Sequence, residues 1–132
     1  MADLARRLTV PHRVDFMALS SYQNSAENSG TVRLIMDTRA DIAGCHVLIV
    51  EDIVDTGYTL AYLQRLFQAR NPASLRTCVL LNKPARHEVE IEVDYLGFEI
   101  PDVWVVGYGL DFADRFRTLP YIGELKPSAY QA

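Results

Sequence analysis

Within nine residues, Glu51, Asp52, Asp55, Thr56, Gly57 and Thr59 bring together three carboxylates, two hydroxyls and a glycine. Carboxylates can hold sugar hydroxyls or a hard cation such as magnesium, and threonine hydroxyls can donate to phosphate oxygens. Gly57 lets consecutive backbone N–H groups converge on an anion with no Cβ in the way. The positive end of a helix beginning just after the turn would add to that attraction. Together these residue types point to a site for a phosphorylated, hydroxyl-bearing ligand.

Two flanking runs must position that cluster. His46 to Val50 reads as a strand, and its lack of alternation predicts burial on both faces, as in a parallel sheet. From Thr59 to Arg70, Leu60, Leu63, Leu66 and Phe67 fall on one face while Gln64, Arg65 and Gln68 fall on the other. That spacing predicts an amphipathic helix, stopped by Asn71-Pro72. A buried strand ending in acids and opening a helix is how α/β folds bind phosphorylated ligands at the carboxyl edge of a sheet.

The remaining elements are consistent with that class. Ala2 to Leu8 is a short helical pattern with no capping residue before it. Val14 to Leu19, Thr31 to Met36, Leu75 to Leu81, Val93 to Phe98 and Val103 to Val106 read as strands. Asp37 to Gly44 is a connection, and Ser20 to Gly30 is too polar to pack, which suits a mobile loop closing over a site. The pattern predicts an α/β fold with a mostly parallel twisted sheet flanked by helices, in a single domain over residues 1–132.

Bulk properties narrow the partners. A chain of 132 residues with 49% apolar content fits one soluble domain, and a net charge of −4 gives no general attraction to nucleic acid or to anionic lipid. Any phosphate must therefore be held locally. Cys45 and Cys78 lack metal-ligand spacing, which suits a reducing cytoplasm, and no apolar run is long enough to span a bilayer.

Two other families share pieces of the cluster. Asp55-Thr56-Gly57 is the tripeptide of aspartic proteases, but there the loop returns to a strand, whereas here a helix follows. Val-Leu-Ile-Val-Glu-Asp opens many receiver domains, but those place the acids near the start of the chain, not at 51 and 52 with 80 residues left.

Taken whole, Val-Leu-Ile-Val-Glu-Asp-Ile-Val-Asp-Thr-Gly at 47 to 57 resembles the phosphoribosyl-pyrophosphate signature of the type I phosphoribosyltransferases. Val-Asp-Phe-Met at 14 to 17, Ser-Ser-Tyr at 20 to 22, Leu-Leu-Asn-Lys-Pro at 80 to 84, Gly-Phe-Glu-Ile-Pro-Asp at 97 to 102, Val-Val-Gly-Tyr-Gly-Leu-Asp at 105 to 111 and the stretch Leu119 to Gly123 narrow the resemblance to the hypoxanthine-guanine branch. It implies transfer of a 5-phosphoribosyl group from phosphoribosyl pyrophosphate to N9 of a 6-oxopurine, with magnesium as cofactor and a homo-oligomer, dimer or tetramer, as the working form.

The resemblance also implies roles. The 5′-phosphate would lie in the loop Asp55, Thr56, Gly57, Tyr58 and Thr59, with Glu51 and Asp52 facing the ribose hydroxyls and their magnesium. Asp55 would be the general acid/base near N7 of the purine. Lys83 would donate to the 6-oxo group, a contact the amine of adenine cannot accept; otherwise it is a solvated lysine at a strand end. Trp104 would stack on the base, unless it is simply a core indole. Val105 would hold the purine edge through its backbone, Asp111 would bind a second magnesium and help shape the purine 2-position, and Arg117 would contact pyrophosphate. Asp114 and Arg115 read as a solvated face. Ser21 and Tyr22 match the start of the mobile loop.

One departure from the family stands out at the sequence level. Its members carry a longer amino-terminal stretch, with a core strand and a Leu-Lys-Gly or Leu-Arg-Gly loop that binds pyrophosphate. The expectation is an amino-terminally truncated fold that exposes apolar surface, together with an alternative function as a catalytically impaired nucleotide-binding remnant or regulator.

Overall fold

The computed structural model describes residues 1–21 and 32–130. Helix α1 (Ala2–Arg7) is followed by strands β1 (Ala18–Ser21), β2 (Val32–Met36) and β3 (His46–Val54), helix α2 (Tyr58–Gln68), and strands β4 (Ser74–Asn82), β5 (Tyr95–Glu99), β6 (Val105–Val106) and β7 (Gly123–Glu124). The central sheet has the order β3-β4-β5, and both of its pairings are parallel. β1 and β2 pair antiparallel, as do β6 and β7. The parallel sheet and the helix crossing between β3 and β4 bear out the α/β expectation.

Side-chain chemistry explains the packing. Leu60, Leu63 and Phe67 of α2 close over Ile49, Val54 and Val79, and Met17, Leu19, Ile42, Leu75, Ile91 and Val93 pack against this cluster. Burying a leucine such as Leu60 contributes roughly 1.5 to 3 kcal/mol, so this cluster holds the helix to the sheet. Gln64 crosses the join, its amide donating to Thr77 Oγ1 at 3.1 Å and to the Glu92 carbonyl at 2.6 Å. At its far end α2 is tied down by Arg70, whose guanidinium donates to both Asp37 carboxylate oxygens at 2.8 Å.

β3 and β4 pair along their whole length, from His46 with Ser74 to Val54 with Asn82. The next residue continues the link, since the Lys83 N–H donates to the Val54 carbonyl at 3.0 Å. The chain therefore leaves two adjacent strands at the same level.

Several expectations need correction. β3 runs four residues past Val50, and its burial alternates: Ile49 is buried while Leu48 is 37% exposed. Among the described residues α2 covers one face of the sheet, so the expected burial on both faces does not hold. The segment from Val14 to Met17 is not a strand, because Asp15 turns it aside by accepting from the backbone N–H groups of Phe16, Arg39 and Ala40. Pairing then starts at Ala18 and takes in Ser20 and Ser21, which the sequence placed in the polar loop. Tyr22 and the rest of that loop lie outside the described residues. α1 buries no residue and is held by polar contacts of Asp3 with Arg6 and with the Tyr108 hydroxyl. No helix among the described residues is long and apolar enough to cross a membrane.

Candidate functional site

β3 delivers the cluster to the carboxyl edge of the sheet, where a cavity of about 730 Å³ opens. Glu51, Asp55, Thr56, Gly57, Tyr58 and Thr59 line it together with Lys83 and Trp104. Eight of the residues singled out in the sequence thus meet in one space.

The turn itself is built around Gly57, which is buried and has φ of 91°, in the left-handed region. A Cβ there would lie 3.1 Å from a Val89 methyl and 3.3 Å from an Ile91 methyl, so glycine is needed both for its conformation and for space. Residues 88 to 91 are pinned in place by the Glu88 N–H, which donates to the Thr56 carbonyl at 3.0 Å. Gly57 is also the N-cap of α2, with no side chain capping it, and the first intrahelical bond there is from the Ala61 N–H to the Gly57 carbonyl. The preceding N–H groups of the first turn are left for a ligand or water.

Electrostatics divide the carboxylates. Withdrawal from solvent pushes Glu51 up to about 7, with the neighbouring charge of Asp52 adding to the effect. Asp55 was expected in the company of other acids, yet its partner is a cation: Arg86 Nε donates to Asp55 Oδ1 at 2.9 Å. Arg86 Nε also lies 3.8 Å from Asp102 Oδ1, and Lys83 Nζ lies 3.7 Å from the same oxygen. Tyr58 is raised by loss of solvent and by the Glu88 carboxylate.

Lys83 is not the solvated strand-end lysine it could have been. It is buried, with its ammonium 5.9 Å from the centroid of Trp104. Nor is Trp104 a core indole: it is 50% exposed and faces the cavity, its ring meeting Phe112 edge-on at 5.5 Å and tilted against Tyr130 at 6.2 Å.

Asp52, Val105, Asp111 and Arg117 do not line this cavity. Arg117 lies 3.0 Å from Asp111 and 2.9 Å from Asp114, and the charge of Asp52 also acts on it. Asp52, Asp111, Asp114 and Arg117 form a second, more open neighbourhood beside the first, while Val105 lies on β6. Asp114 and Arg115 are exposed, as expected of a solvated face, although Asp114 holds Arg117. Ser21 lies at the end of β1.

The sequence reading missed Arg86, Glu88, Asp102 and Tyr130, all of which line the cavity. Asp102 stood at the end of a quoted landmark without a role, and Arg86 stands three residues after Lys83. Those were the only signals available. The arrangement combines a turn with N–H groups open to an anion, a carboxylate held by a guanidinium, a buried ammonium and an exposed aromatic face, which suits a ligand with a phosphate at one end and a planar polar ring at the other.

A model of the phosphoribosyl transferase domain family matches residues 1–113. The chain is similar to the hypoxanthine-guanine phosphoribosyltransferase of Mycobacterium bovis, at 52% identity over 131 residues, covering 99% of this chain and 65% of that protein. It is 48% identical over 132 residues to the Bacillus subtilis protein of the same name, covering all of this chain and 73% of that one. Among solved structures, a hypoxanthine phosphoribosyltransferase from Trypanosoma cruzi in complex with the product IMP superposes with a TM-score of 0.90 at 48% identity, covering 98% of this chain and 70% of that one. The chain thus spans about two thirds of the length of these relatives.

Proposed function

The chain belongs to the phosphoribosyl transferase domain family, and from that premise we propose that it transfers the 5-phosphoribosyl group of phosphoribosyl pyrophosphate to N9 of hypoxanthine or guanine, yielding IMP or GMP and pyrophosphate in purine salvage. The observation that carries this reading is the meeting of the 55–59 turn with buried Lys83 and exposed Trp104 in one cavity. The named activities of the mycobacterial and Bacillus relatives point the same way.

Each residue has a task suited to its surroundings. The hydroxyls of Thr56 and Thr59 and the free N–H groups at the start of α2 hold the 5′-phosphate, with Gly57 and Tyr58 shaping the turn. Glu51 and Asp52 take the ribose hydroxyls, Glu51 being able to donate as well as accept near neutral pH because of its raised proton affinity. Trp104 stacks on the purine while Lys83 donates to its 6-oxo group, excluding adenine. Asp55 takes the proton from N7 as the N9–ribose bond forms and the bond to pyrophosphate breaks, and gives it back to N7 in the reverse reaction. Val105 meets the purine edge through its backbone, and Arg117 meets the departing pyrophosphate. Ser21 and Tyr22 belong to the segment that excludes water from the reacting ribosyl centre.

Magnesium fits the donor chemistry present. Among the described residues no group of three or more His, Cys, Asp or Glu could hold a metal by itself. Magnesium is commonly held by one or two carboxylates plus substrate phosphates, and Glu51, Asp52 and Asp111 offer such carboxylates. When bound, it would offset the negative charge of the pyrophosphate. The setting we favour is cytoplasmic, in keeping with unpaired Cys45 and Cys78. A homo-oligomer is favoured by the exposed apolar surface on β5, where Tyr95, Leu96 and Phe98 are open to solvent.

The test is an assay of the chain with phosphoribosyl pyrophosphate, magnesium and either hypoxanthine or adenine. Turnover of hypoxanthine alone is expected, falling by roughly a hundredfold or more in Asp55→Asn. Lys83→Gln should lose most of the discrimination against adenine. Wild-type turnover no greater than that of Asp55→Asn would sink the catalytic claim, and binding of IMP without turnover would instead favour a nucleotide-binding remnant or regulator.

A further inference from the structure

Four charges alternate along one wall of the cavity: Lys83, Asp102, Arg86 and Asp55. Asp102 Oδ1 lies between two cations, 3.7 Å from Lys83 Nζ and 3.8 Å from Arg86 Nε. Arg86 Nε in turn lies between two carboxylates and makes its hydrogen bond to Asp55 at 2.9 Å. The two inner members connect the residues that, on the functional reading above, touch neighbouring atoms on one edge of the purine: Lys83 at the 6-oxo group and Asp55 at N7.

We propose that Arg86 and Asp102 are positioning residues that link the purine-recognising lysine to the acid/base carboxylate, so that base recognition and proton transfer are set by one structure. The role of this bridge rests on the functional reading; its existence does not.

Physical chemistry makes the link consequential. A carboxylate on a loop has two rotatable side-chain bonds, and a guanidinium N–H donating to one oxygen fixes the direction in which the other points. Lys83 has a long flexible stem, and Asp102 beside its ammonium limits where that charge rests over Trp104. Misplacing a reacting group by about an ångström can cost on the order of a hundredfold. Arg86 is supported for this duty by the short helical turn Pro84–Arg86 directly after Lys83, in which the Arg86 N–H donates to the Lys83 carbonyl at 2.9 Å. The peptide that carries the lysine therefore also carries the clamp on the carboxylate.

The bridge is read first without substrate, in the whole chain, by nuclear magnetic resonance of the Arg86 Nε–H. That resonance should shift in Asp55→Asn and, to a smaller extent, in Asp102→Asn. A signal unmoved by Asp55→Asn overturns the proposal. Its consequence is then read by kinetics and calorimetry. Arg86→Gln should lower kcat by roughly ten- to a hundredfold and weaken IMP by about tenfold, while the KM for phosphoribosyl pyrophosphate changes by less than about twofold. Asp102→Asn should raise the KM for hypoxanthine more than it lowers kcat. Equal losses for both substrates would mean a general structural role and would also overturn the proposal. If the resonance responds but the wild-type chain neither turns over nor binds IMP, the functional reading fails alone and the bridge stands.

Discussion

The cavity around the 55–59 turn and the neighbourhood of Asp111 and Arg117 are both rich in charge, but they are held in different ways. The turn lies between two strands paired along their full length and a helix packed on them, with Gly57 enclosed by Val89 and Ile91. The other region hangs on the short pair β6 and β7, and between them Tyr108, Ala113, Asp114 and Phe116 all take positive φ without being glycine. Its ion pairs are largely exposed, with Asp114 at 93% side-chain exposure. Backbone is enclosed and predetermined where phosphate and purine would be recognised, and open where, on our reading, pyrophosphate would leave. Binding precision and product release ask for opposite properties, and the two regions divide them.

Two glycines test that difference most strongly. Gly57 and Gly109 both have positive φ, at 91° and 103°, but a Cβ on Gly109 would meet nothing within 4 Å. Gly109→Ala should cost about 1 kcal/mol, the strain of a left-handed alanine. Gly57→Ala adds crowding of Val89 and Ile91 and should cost about 3 kcal/mol, measured by denaturant unfolding. Equal losses would show that the turn is no more enclosed than the open segment.

Glu51 sharpens the comparison through pH. Its folded carboxyl keeps a proton up to about 7, against an ordinary value of 4.5. A raised folded value means that this group's contribution is fully present below the unfolded value and is lost as pH rises through 7. Glu51→Gln removes the ionisation, so the variant should match wild type near pH 4 and gain on the order of 2 kcal/mol by pH 8. Denaturation midpoints across that range provide the check, and a difference independent of pH would contradict enclosure of the carboxyl.

The smallest effect on stability is expected at Arg117. Its partner Asp114 is exposed and Asp111 only partly buried, so Arg117→Gln should leave the thermal midpoint nearly unchanged while weakening pyrophosphate by roughly tenfold. A large drop in the midpoint would show that this neighbourhood is structurally committed after all.

The strand, the turn and the helix were legible because local chemistry determines them. Apolar spacing specifies β3 and α2, and only glycine suits a left-handed, crowded Gly57. Lys83 and Trp104 were recognisable by resemblance, but their burial and exposure were not, since both depend on Val54, Phe112 and Tyr130 arriving from elsewhere in the chain. Arg86 and Asp102 went unassigned for the same reason. An arginine three residues after a lysine is unremarkable until a carboxylate thirty-one positions earlier is found beside it. The early strand was misplaced because Asp15 gathers backbone N–H groups from residues 39 and 40, a contact that periodicity does not encode.

The common finishing line of β3 and β4 has a consequence for how this chain can change length. Val54 and Asn82 end the ladder together, and Lys83 is bonded across to Val54. A single-residue insertion or deletion within either strand would turn every later side chain to the opposite face and carry Asp55 out of step with Lys83. The joints on the other side, at 37–45 and 69–73, lie away from the cavity and can lengthen without disturbing it. Length variation among natural sequences of this type should therefore gather at the amino ends of these strands and avoid their carboxyl ends.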